Sequence, residues 1–152
     1  MGLDTYFHKC KRAEYNDFKE KEAQFNKLSR EEQDKAVSPY DNFDPEEIGY
    51  FRKVNFLMSF FDYHDNCEYQ TIDIGDLYNL REICTTISKM NPKSVEDRIR
   101  CAELLPTQSG FFFGNTEYDE YYFNDVEIVL EWLNDVLPTI EDDDVVLMWC
   151  WW

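Results

Sequence analysis

The last eight residues constrain the fold more than any other part of the chain. Residues 145–152 read VVLMWCWW, with three tryptophans and no charged side chain. Alternate residues of a strand face opposite sides, so both faces of this segment are apolar. Exposed to water, such a segment would aggregate. We therefore predict that it is an ordered strand of a sheet, covered on both faces at least up to Trp149 or Cys150.

Patterns along the rest of the chain predict a mixture of strands and helices. Further strands are expected at residues 2–9, 67–72 and 111–113, the last as a central strand. Helices are expected where apolar residues recur at helical spacing, at residues 14–28, 29–37, 44–61, 74–89, 94–105 and 124–137. For all but the first of these, a capping residue marks the start: Ser29, Asp44, Asp73, Ser94 and Asn124. Residues 117–122 fit either a hairpin strand or a loop.

These elements predict the fold class. Residues 1–152 should form a single α+β (or α/β) domain, with a mixed sheet of about four strands packed by several helices. Residues 11–37 are highly charged and are expected to be a helical insertion. With 43% hydrophobic and 17% aromatic residues, the chain is too apolar to be disordered.

Charge is distributed very unevenly. Residues 102–152 contain 12 of the 32 acidic residues and none of the 15 Lys and Arg, so they carry most of the net charge of −17. Free nucleic acid is an unfavourable ligand for such a surface, because phosphate binding needs basic groups. A basic protein surface or a divalent cation is the partner that this charge favours.

The cysteines and the hydropathy pattern indicate an intracellular protein. The five cysteines include no CxxC pair, which is typical of reduced and mostly buried thiols rather than of zinc or disulfide frameworks. No apolar run approaches the roughly 18 residues that would cross a bilayer. We expect a cytoplasmic protein with no membrane contact.

Residues 116–122 (TEYDEYY) have the most unusual local composition. Tyrosines offer rigid contact area and carboxylates attract basic partners, so the segment is typical of an interaction surface. The alternative is a half-buried helix start or strand with its charges outward. The candidate residues are Glu117, Tyr118, Asp119, Glu120 and Tyr121.

A row of like charges follows at helical spacing. Glu127, Glu131 and Asp135 lie four apart, and each such pair weakens an isolated helix by a few tenths of a kcal/mol. Bases from the first two-thirds of the chain, a partner, or plain solvation would relieve this repulsion. Arg52 and Lys53 are adjacent bases, which we take as candidate anion contacts or as internal partners of the acidic third.

Signatures of catalysis and of metal binding are absent from the sequence. There is no phosphate-binding glycine loop, nucleophile elbow or paired-histidine zinc motif. His64 could act as a general base, but its place after a helix fits a solvated residue. His8 with Cys10, and the acidic run 142–144, supply too few ligands for a metal. We expect no metal and no cofactor.

Four motifs carry a resemblance: MGLDxY at residues 1–6, EIGYFRK at 47–53, NCEY at 66–69 and LLPTQSGFFFGNTEYDEYYFNDV at 104–126. In these the chain resembles a family of small phage and prophage proteins, from which residues 11–37 depart. The family has no assigned activity, so the resemblance implies context rather than catalytic residues. That context is a phage accessory protein in a bacterial host cytoplasm, where inhibitors of host or defence enzymes are common.

Two functions remain open from the sequence, besides a role in the virion. The first is a non-enzymatic interaction module, an inhibitor that presents its acidic third to a basic surface of a host or phage protein. The alternative is a small enzyme acting on a nucleotide or polar metabolite, with Arg52 and Lys53 holding an anion and Asp119, Glu120 or His64 as acid or base. The sequence leaves the oligomeric state open.

Overall fold

The computed structural model describes residues 2–65 and 67–152. Met1 and Asn66, which belong to two of the motifs quoted above, lie outside these residues. The described part of the chain forms four strands and six α-helices in one α+β domain. Their order and bounds are β1 Asp4–Lys11, α1 Arg12–Phe25, α2 Arg30–Gln33, β2 Glu46–Arg52, α3 Phe56–Phe60, β3 Gln70–Ile72, α4 Ile74–Ser88, α5 Val95–Leu104, α6 Glu120–Val136 and β4 Asp144–Trp151.

The four strands form one sheet in the order β2-β1-β4-β3. The α+β class and the four-stranded sheet are confirmed, as is the terminal segment, which is the central strand β4. A mixed sheet was expected, but all three strand pairs of the described sheet are antiparallel. Because β1 and β4 come from opposite ends of the chain, the centre of the sheet depends on contacts of high sequence separation.

Helices α4 and α6 cover one face of the sheet. Phe7 of β1 and Met148 of β4 are fully buried in the core that these helices complete. Trp132 of α6 packs against the rings of Phe7 and Phe51, with centroid distances of 4.7 Å and 5.1 Å. The apolar stripe of each helix thus meets the apolar face of the sheet, as helix amphipathicity requires.

The second face of the sheet is covered over only part of its area. Phe18 of α1 stacks on Phe43 at 4.1 Å and meets Tyr69 edge-on at 6.1 Å. Phe43 and Tyr69 also pack against a small second core that contains Cys10 and Leu147. The connection from β1 to β2, which contains α1 and α2, therefore covers the end of this face nearest α1.

At the far end of the second face, the expectation that β4 is covered up to Trp149 or Cys150 holds only in part. Residues 145–148 and Cys150 are buried, but Trp149 is only partly buried, and Trp151 is 54% exposed. Trp149 and Trp151 share the face that α1 leaves uncovered, because residues two apart in a strand lie on one side.

Capping residues predicted from the sequence are confirmed at three helices. The side chain of Ser29 accepts from the backbone N–H of Glu32, and that of Asp73 accepts from the N–H of Gly75. Ser94 accepts from the N–H of Asp97 at the start of α5. These local bonds satisfy backbone donors that have no partner inside the helix, which is why the sequence predicts these starts well.

The helix expected at residues 44–61 is wrong. Residues 46–52 form strand β2, and only Phe56–Phe60 is helical. Pairing with β1 satisfies the backbone of β2, and the preceding Pro45 is compatible with an edge strand. Gly49 favours the strand as well, because it is a poor helix former and because a Cβ there would lie 2.7 Å from the Trp132 ring.

The strand expected at residues 111–113 is also wrong. The segment forms a turn in which Phe113 is buried and Phe111 is 93% exposed. Gly114 follows with a φ of 87°, a left-handed conformation that ends any extended run. The carbonyl of Phe112 accepts from the N–H of Leu3 at 3.0 Å, which fixes the turn beside the start of β1.

Helix α6 begins earlier than expected. The sequence predicted a start at Asn124, but the cap is Asp119, whose carboxylate accepts from the N–H of Tyr122 at 3.1 Å. The extra turn carries Tyr122 and Phe123 into the core. It also settles residues 117–122 as a loop that becomes the first turn of α6.

Four of the five cysteines are buried as thiols, and Cys67 is exposed. Within residues 2–65 and 67–152, none of the helices combines the length and hydropathy that a membrane crossing requires.

Candidate functional site

A concave pocket of about 270 Å³ lies where three segments of the chain meet. The segments are the turn after β2, the loop between α5 and α6, and the first turns of α6. We call it the α6 pocket. Its lining consists of polar and charged side chains with a few aromatic rings, from Arg52, Lys53, Asn55, Phe56, Thr107, Gly114, Asn115, Glu117, Asp119, Tyr121, Tyr122 and Asp125.

Asn55 holds the loop side of the α6 pocket in place. It is 3% exposed, and its amide nitrogen donates to the carbonyls of Phe113 at 3.1 Å and Asn115 at 2.9 Å. Its amide oxygen accepts from the N–H of Gln108 at 3.3 Å. A buried amide with both ends bonded fixes the loop relative to the turn after β2, so the pocket wall is pre-organised.

Lys53 forms the cationic rim of the α6 pocket. Its φ of 60° is in the left-handed region, and its N–H donates to the carbonyl of Leu3 at 2.8 Å. The side chain crosses two glycines: a Cβ on Gly2 would lie 3.1 Å from Cε, and one on Gly114 would lie 3.3 Å from Cβ. Left-handed backbone at a non-glycine residue costs on the order of 1 kcal/mol and is found often at functional sites.

The ammonium of Lys53 forms no ion pair with any described residue, whereas the neighbouring Arg52 donates to Asp4 at 3.2 Å. Of the two candidate anion contacts, Lys53 is therefore the one whose charge is available to a ligand. Arg52 has the internal partner that the sequence left open, although that partner comes from β1 and not from the acidic third.

Two carboxylates lie on the α6 side of the pocket and differ in their surroundings. Asp119 caps the helix and also accepts from the side-chain amide of Asn115 at 2.9 Å. Asp125 is half-buried and has no hydrogen bond or ion pair to any described residue. Burial, reinforced by the negative charge of Asp119, raises the pKa of Asp125 to about 6.

This arrangement suits a cationic ligand group. A cation placed between Asp119 and Asp125 would neutralise a carboxyl that the protein itself leaves unpaired, and it would lower the pKa of Asp125. An anionic group would lie toward Lys53. Unpaired carboxyls with raised pKa values in a concave site are typical of binding and catalytic sites.

The structure separates the sequence-predicted interaction residues into three groups. Glu117, Asp119 and Tyr121 line the α6 pocket together with Arg52 and Lys53. Tyr118 instead has a structural role, because its hydroxyl accepts from the N–H of Thr107 at 3.0 Å and its ring packs on Tyr122 at 4.9 Å. The third group is exposed on α6 outside the pocket, at Glu120, Glu127, Glu131 and Asp135.

The outer row of Glu127, Glu131 and Asp135 has no ion pair within the described parts of the chain. At 100° per residue, the exposed side chains of Tyr121 and Ile128 lie between Asp125 and this row. The first turns of α6 thus present a partly apolar strip with a carboxylate pocket on one side and unpaired carboxylates on the other.

Asp125 and Asn55 are site residues that the sequence analysis missed. The signal for Asp125 is present in the sequence: on a helix that starts at Asp119, it falls beside the buried positions Tyr122 and Val126. With the helix predicted to start at Asn124, Asp125 fell in the first turn, where acidic residues are common because they interact favourably with the helix dipole. Asn55 carries no such signal, because its partners are backbone groups more than fifty residues away.

The other candidates from the sequence lie outside the α6 pocket. His64 is exposed and its Nε2 lies 2.8 Å from Asp62, on the surface and outside the α6 pocket. Among residues 2–65 and 67–152, no group of three or more His, Cys, Asp or Glu side chains could hold a metal ion. His8 is half-buried, which lowers its pKa, and lies beside Tyr6 and Tyr69.

Comparison with known proteins gives no relative: no protein-family model, no curated protein and no solved structure matches this chain.

Proposed function

We propose that this protein is a non-enzymatic interaction module that binds a basic segment of another protein. One cationic side chain of the partner enters the α6 pocket and lies against Asp119 and Asp125. Neighbouring bases of the partner lie along Glu131 and Asp135. Tyr121 and Ile128 supply the apolar contact between the two.

The observation that carries this proposal is the state of Asp125. A half-buried carboxyl without a partner is unfavourable for the isolated protein, because desolvation is not offset by any bond. A cationic side chain in the pocket would remove this cost. The outer carboxylates add attraction at longer range, which raises association rates and makes binding sensitive to salt.

Exposed aromatic side chains support a protein partner in particular. Tyr121 is 78% exposed at the pocket mouth, and Phe111 is an exposed aromatic residue of the loop that forms one pocket wall. Tyrosine and other aromatic residues are enriched where binding energy concentrates in protein interfaces. In the phage context that the resemblance implies, we propose an inhibitor acting in the host cytoplasm on a basic host or defence protein.

Affinity capture tests the proposal. The protein is immobilised, exposed to bacterial lysate at low and high salt, and the retained proteins are identified by mass spectrometry. We expect a basic partner that high salt releases. The purified partner is then titrated by calorimetry against wild type and against the triple variant Glu127→Lys, Glu131→Lys and Asp135→Lys, which should bind at least about tenfold more weakly.

A second triple variant has the same net charge as the first and serves as its control. The triple variant Glu20→Lys, Glu31→Lys and Asp34→Lys changes three exposed acids in and around α1 and α2, remote from α6. Equal loss in both triple variants would show that only total charge matters and would contradict the proposed surface. The isosteric Asp125→Asn variant should also weaken binding at least about tenfold above pH 6; unchanged affinity would exclude the pocket.

A small enzyme acting on a nucleotide or polar metabolite is a second candidate, favoured by one observation. Asp119 and Asp125 are close carboxyls in different environments, and Lys53 faces the same cavity as a free cation. A carboxyl whose pKa is raised in a concave site is typical of a catalytic acid or base. Turnover of a metabolite extract, followed by NMR and abolished by Asp125→Asn and Lys53→Met, would establish this function instead.

A further inference from the structure

The uncovered end of the second sheet face carries a row of aromatic rings. Tyr50, Tyr6 and Trp149 are register neighbours on β2, β1 and β4. The Tyr6 ring centroid lies 5.0 Å from that of Tyr50 and 5.4 Å from that of Trp149. We call these three rings the aromatic row. Trp151 lies beyond it on the same face.

The aromatic row is accessible to a partner. Tyr50 is 46% exposed, and Tyr6 and Trp149 are partly exposed, although the neighbouring end of the face is sealed by α1. Together with the exposed Trp151, they form a contiguous patch of large rings. Patches of this kind on a protein surface mark interaction sites.

Acidic groups border the aromatic row. The Tyr50 hydroxyl donates to Asp4 at 2.7 Å. Glu47 of β2 is exposed and has no ion pair in residues 2–65 or 67–152. Partial burial and then the negative charges of Asp4 and Glu47 raise the pKa of Tyr6. The rings therefore lie in a negative field, which favours a cation above their faces.

The protein's own Arg52 already binds one of the carboxylates that border the aromatic row. Its guanidinium donates to Asp4, the same carboxylate that binds the Tyr50 hydroxyl, at the edge of the aromatic row. A planar guanidinium both stacks on aromatic faces and bonds to carboxylates in its own plane. Glu47 is the corresponding carboxylate for which the described chain supplies no such partner.

We propose that the aromatic row is a docking site for an arginine-bearing segment of a partner protein. The guanidinium stacks on Tyr6 and Trp149 and bonds to Glu47. A second copy of this chain is disfavoured as occupant because each copy carries a net charge of −17. A nucleic acid is disfavoured for the same reason.

The aromatic row lies on the sheet face opposite to helix α6. Helix α6 packs on the face that contains Phe7 and Met148, whereas Tyr6 and Trp149 point to the other face. The two sites meet only at Arg52, which lines the α6 pocket and donates to Asp4 at the edge of the aromatic row, so the amide chemical shifts of α6 show whether a variant of the row disturbs the pocket.

Two peptides of equal charge test the docking site. One alternates arginine with glycine, the other lysine with glycine, and each is titrated by calorimetry and by amide chemical shifts. The arginine peptide should bind about threefold or more tightly than the lysine peptide. Its shifts should concentrate on β1, β2 and β4 around the aromatic row, while both peptides perturb α6 alike.

Variants make the test specific. Tyr50→Ala with Trp149→Ala removes two of the three rings of the aromatic row and keeps the net charge. This double variant should reduce arginine binding to the lysine level, with a melting curve that confirms the fold. Glu47→Gln, which leaves every ring in place, should reduce the arginine preference as well. Equal affinity for the two peptides in wild type, or an unchanged preference in both variants, would overturn the proposal. So would a concentration-dependent dimer in sedimentation that the double variant abolishes, since the occupant would then be a second copy.

Discussion

Consecutive residues of β1 and β4 lie in very different surroundings on the two faces of the sheet. Phe7 and Met148 are fully buried beneath α4 and α6, while Tyr6 and Trp149 on the other face remain partly in water. Both faces of β4 are equally apolar in sequence. Apolar character therefore predicts burial only when another element is available to cover it. The α1 region covers just one end of the second face of the sheet.

The largest expected effect separates the two faces directly. Met148→Ala should destabilise the fold by about 2–5 kcal/mol, because it leaves a cavity in a sealed core. Trp149→Ala removes a larger side chain but should cost less, about 1–2 kcal/mol, because the ring is partly exposed and its loss opens no sealed cavity. Urea unfolding of both variants measures this order. A Trp149 variant that is less stable than the Met148 variant would show that the second face is covered.

Gly49 tests how closely the covered face is packed. A methyl group there would lie 2.7 Å from the Trp132 ring, whose Nε1 donates to the Ile48 carbonyl at 2.6 Å. Gly49→Ala should therefore cost about 1–3 kcal/mol through overpacking and displacement of that bond. Thermal unfolding measures the loss. In a Trp132→Leu background the same substitution should cost much less, and an unchanged cost would mean that the strain lies elsewhere.

The α6 pocket lies at the edge of the covered face, and Asp125 tests its electrostatics. The pKa of Asp125 is about 6 in the fold, above the ordinary 3.8, so the folded state holds this proton more tightly than the unfolded chain. The charged carboxyl of Asp125 therefore lowers the free energy of unfolding at neutral pH, and this cost disappears as the pH falls from about 6 to about 4. Asp125→Asn should be more stable than wild type by roughly 1–2 kcal/mol at pH 7 and about equally stable at pH 4. Denaturant titrations across this range give the difference, and a constant difference would exclude the raised pKa.

The outer side of α6 should show the smallest effect. Glu131→Gln relieves repulsion from Glu127 and Asp135 and should stabilise the protein by about 0.2–0.5 kcal/mol at low salt. Asp17→Asn, which removes a 2.7 Å ion pair with Lys21 on α1, is the control and should destabilise slightly. Thermal melts at low and high salt give both values. Destabilisation by Glu131→Gln would reveal a favourable contact of Glu131 within the protein.

Local signals predicted part of this fold well. Ser29, Asp73 and Ser94 each cap a helix by a bond that spans two or three residues, so the sequence contains the whole interaction. The same logic failed at Asp44 and Pro45, whose helix-start pattern is as strong. There, pairing of residues 46–52 with β1 outweighs a local preference worth about 1 kcal/mol.

The candidate site was predicted in part. Composition pointed to Glu117, Asp119 and Tyr121, and adjacency pointed to Lys53, but nothing in the sequence joined the two segments. They meet because Asn55 bonds the loop after α5 to the turn after β2. That bond links residues about sixty positions apart, and no periodicity encodes it.

The sequence was sufficient to predict the fold class, the strand at the end of the chain, the helices capped by Ser29, Asp73 and Ser94, and the concentration of negative charge in residues 102–152. Each of these follows from hydrophobic alternation, local hydrogen bonds or a count of charges. The folded structure was needed to show that residues 46–52 are a strand, that Phe111 is exposed, and that Asp125 and Lys53 line one pocket. Long-range strand pairing and desolvation act between segments distant in the chain, so their outcome is determined only when those segments meet.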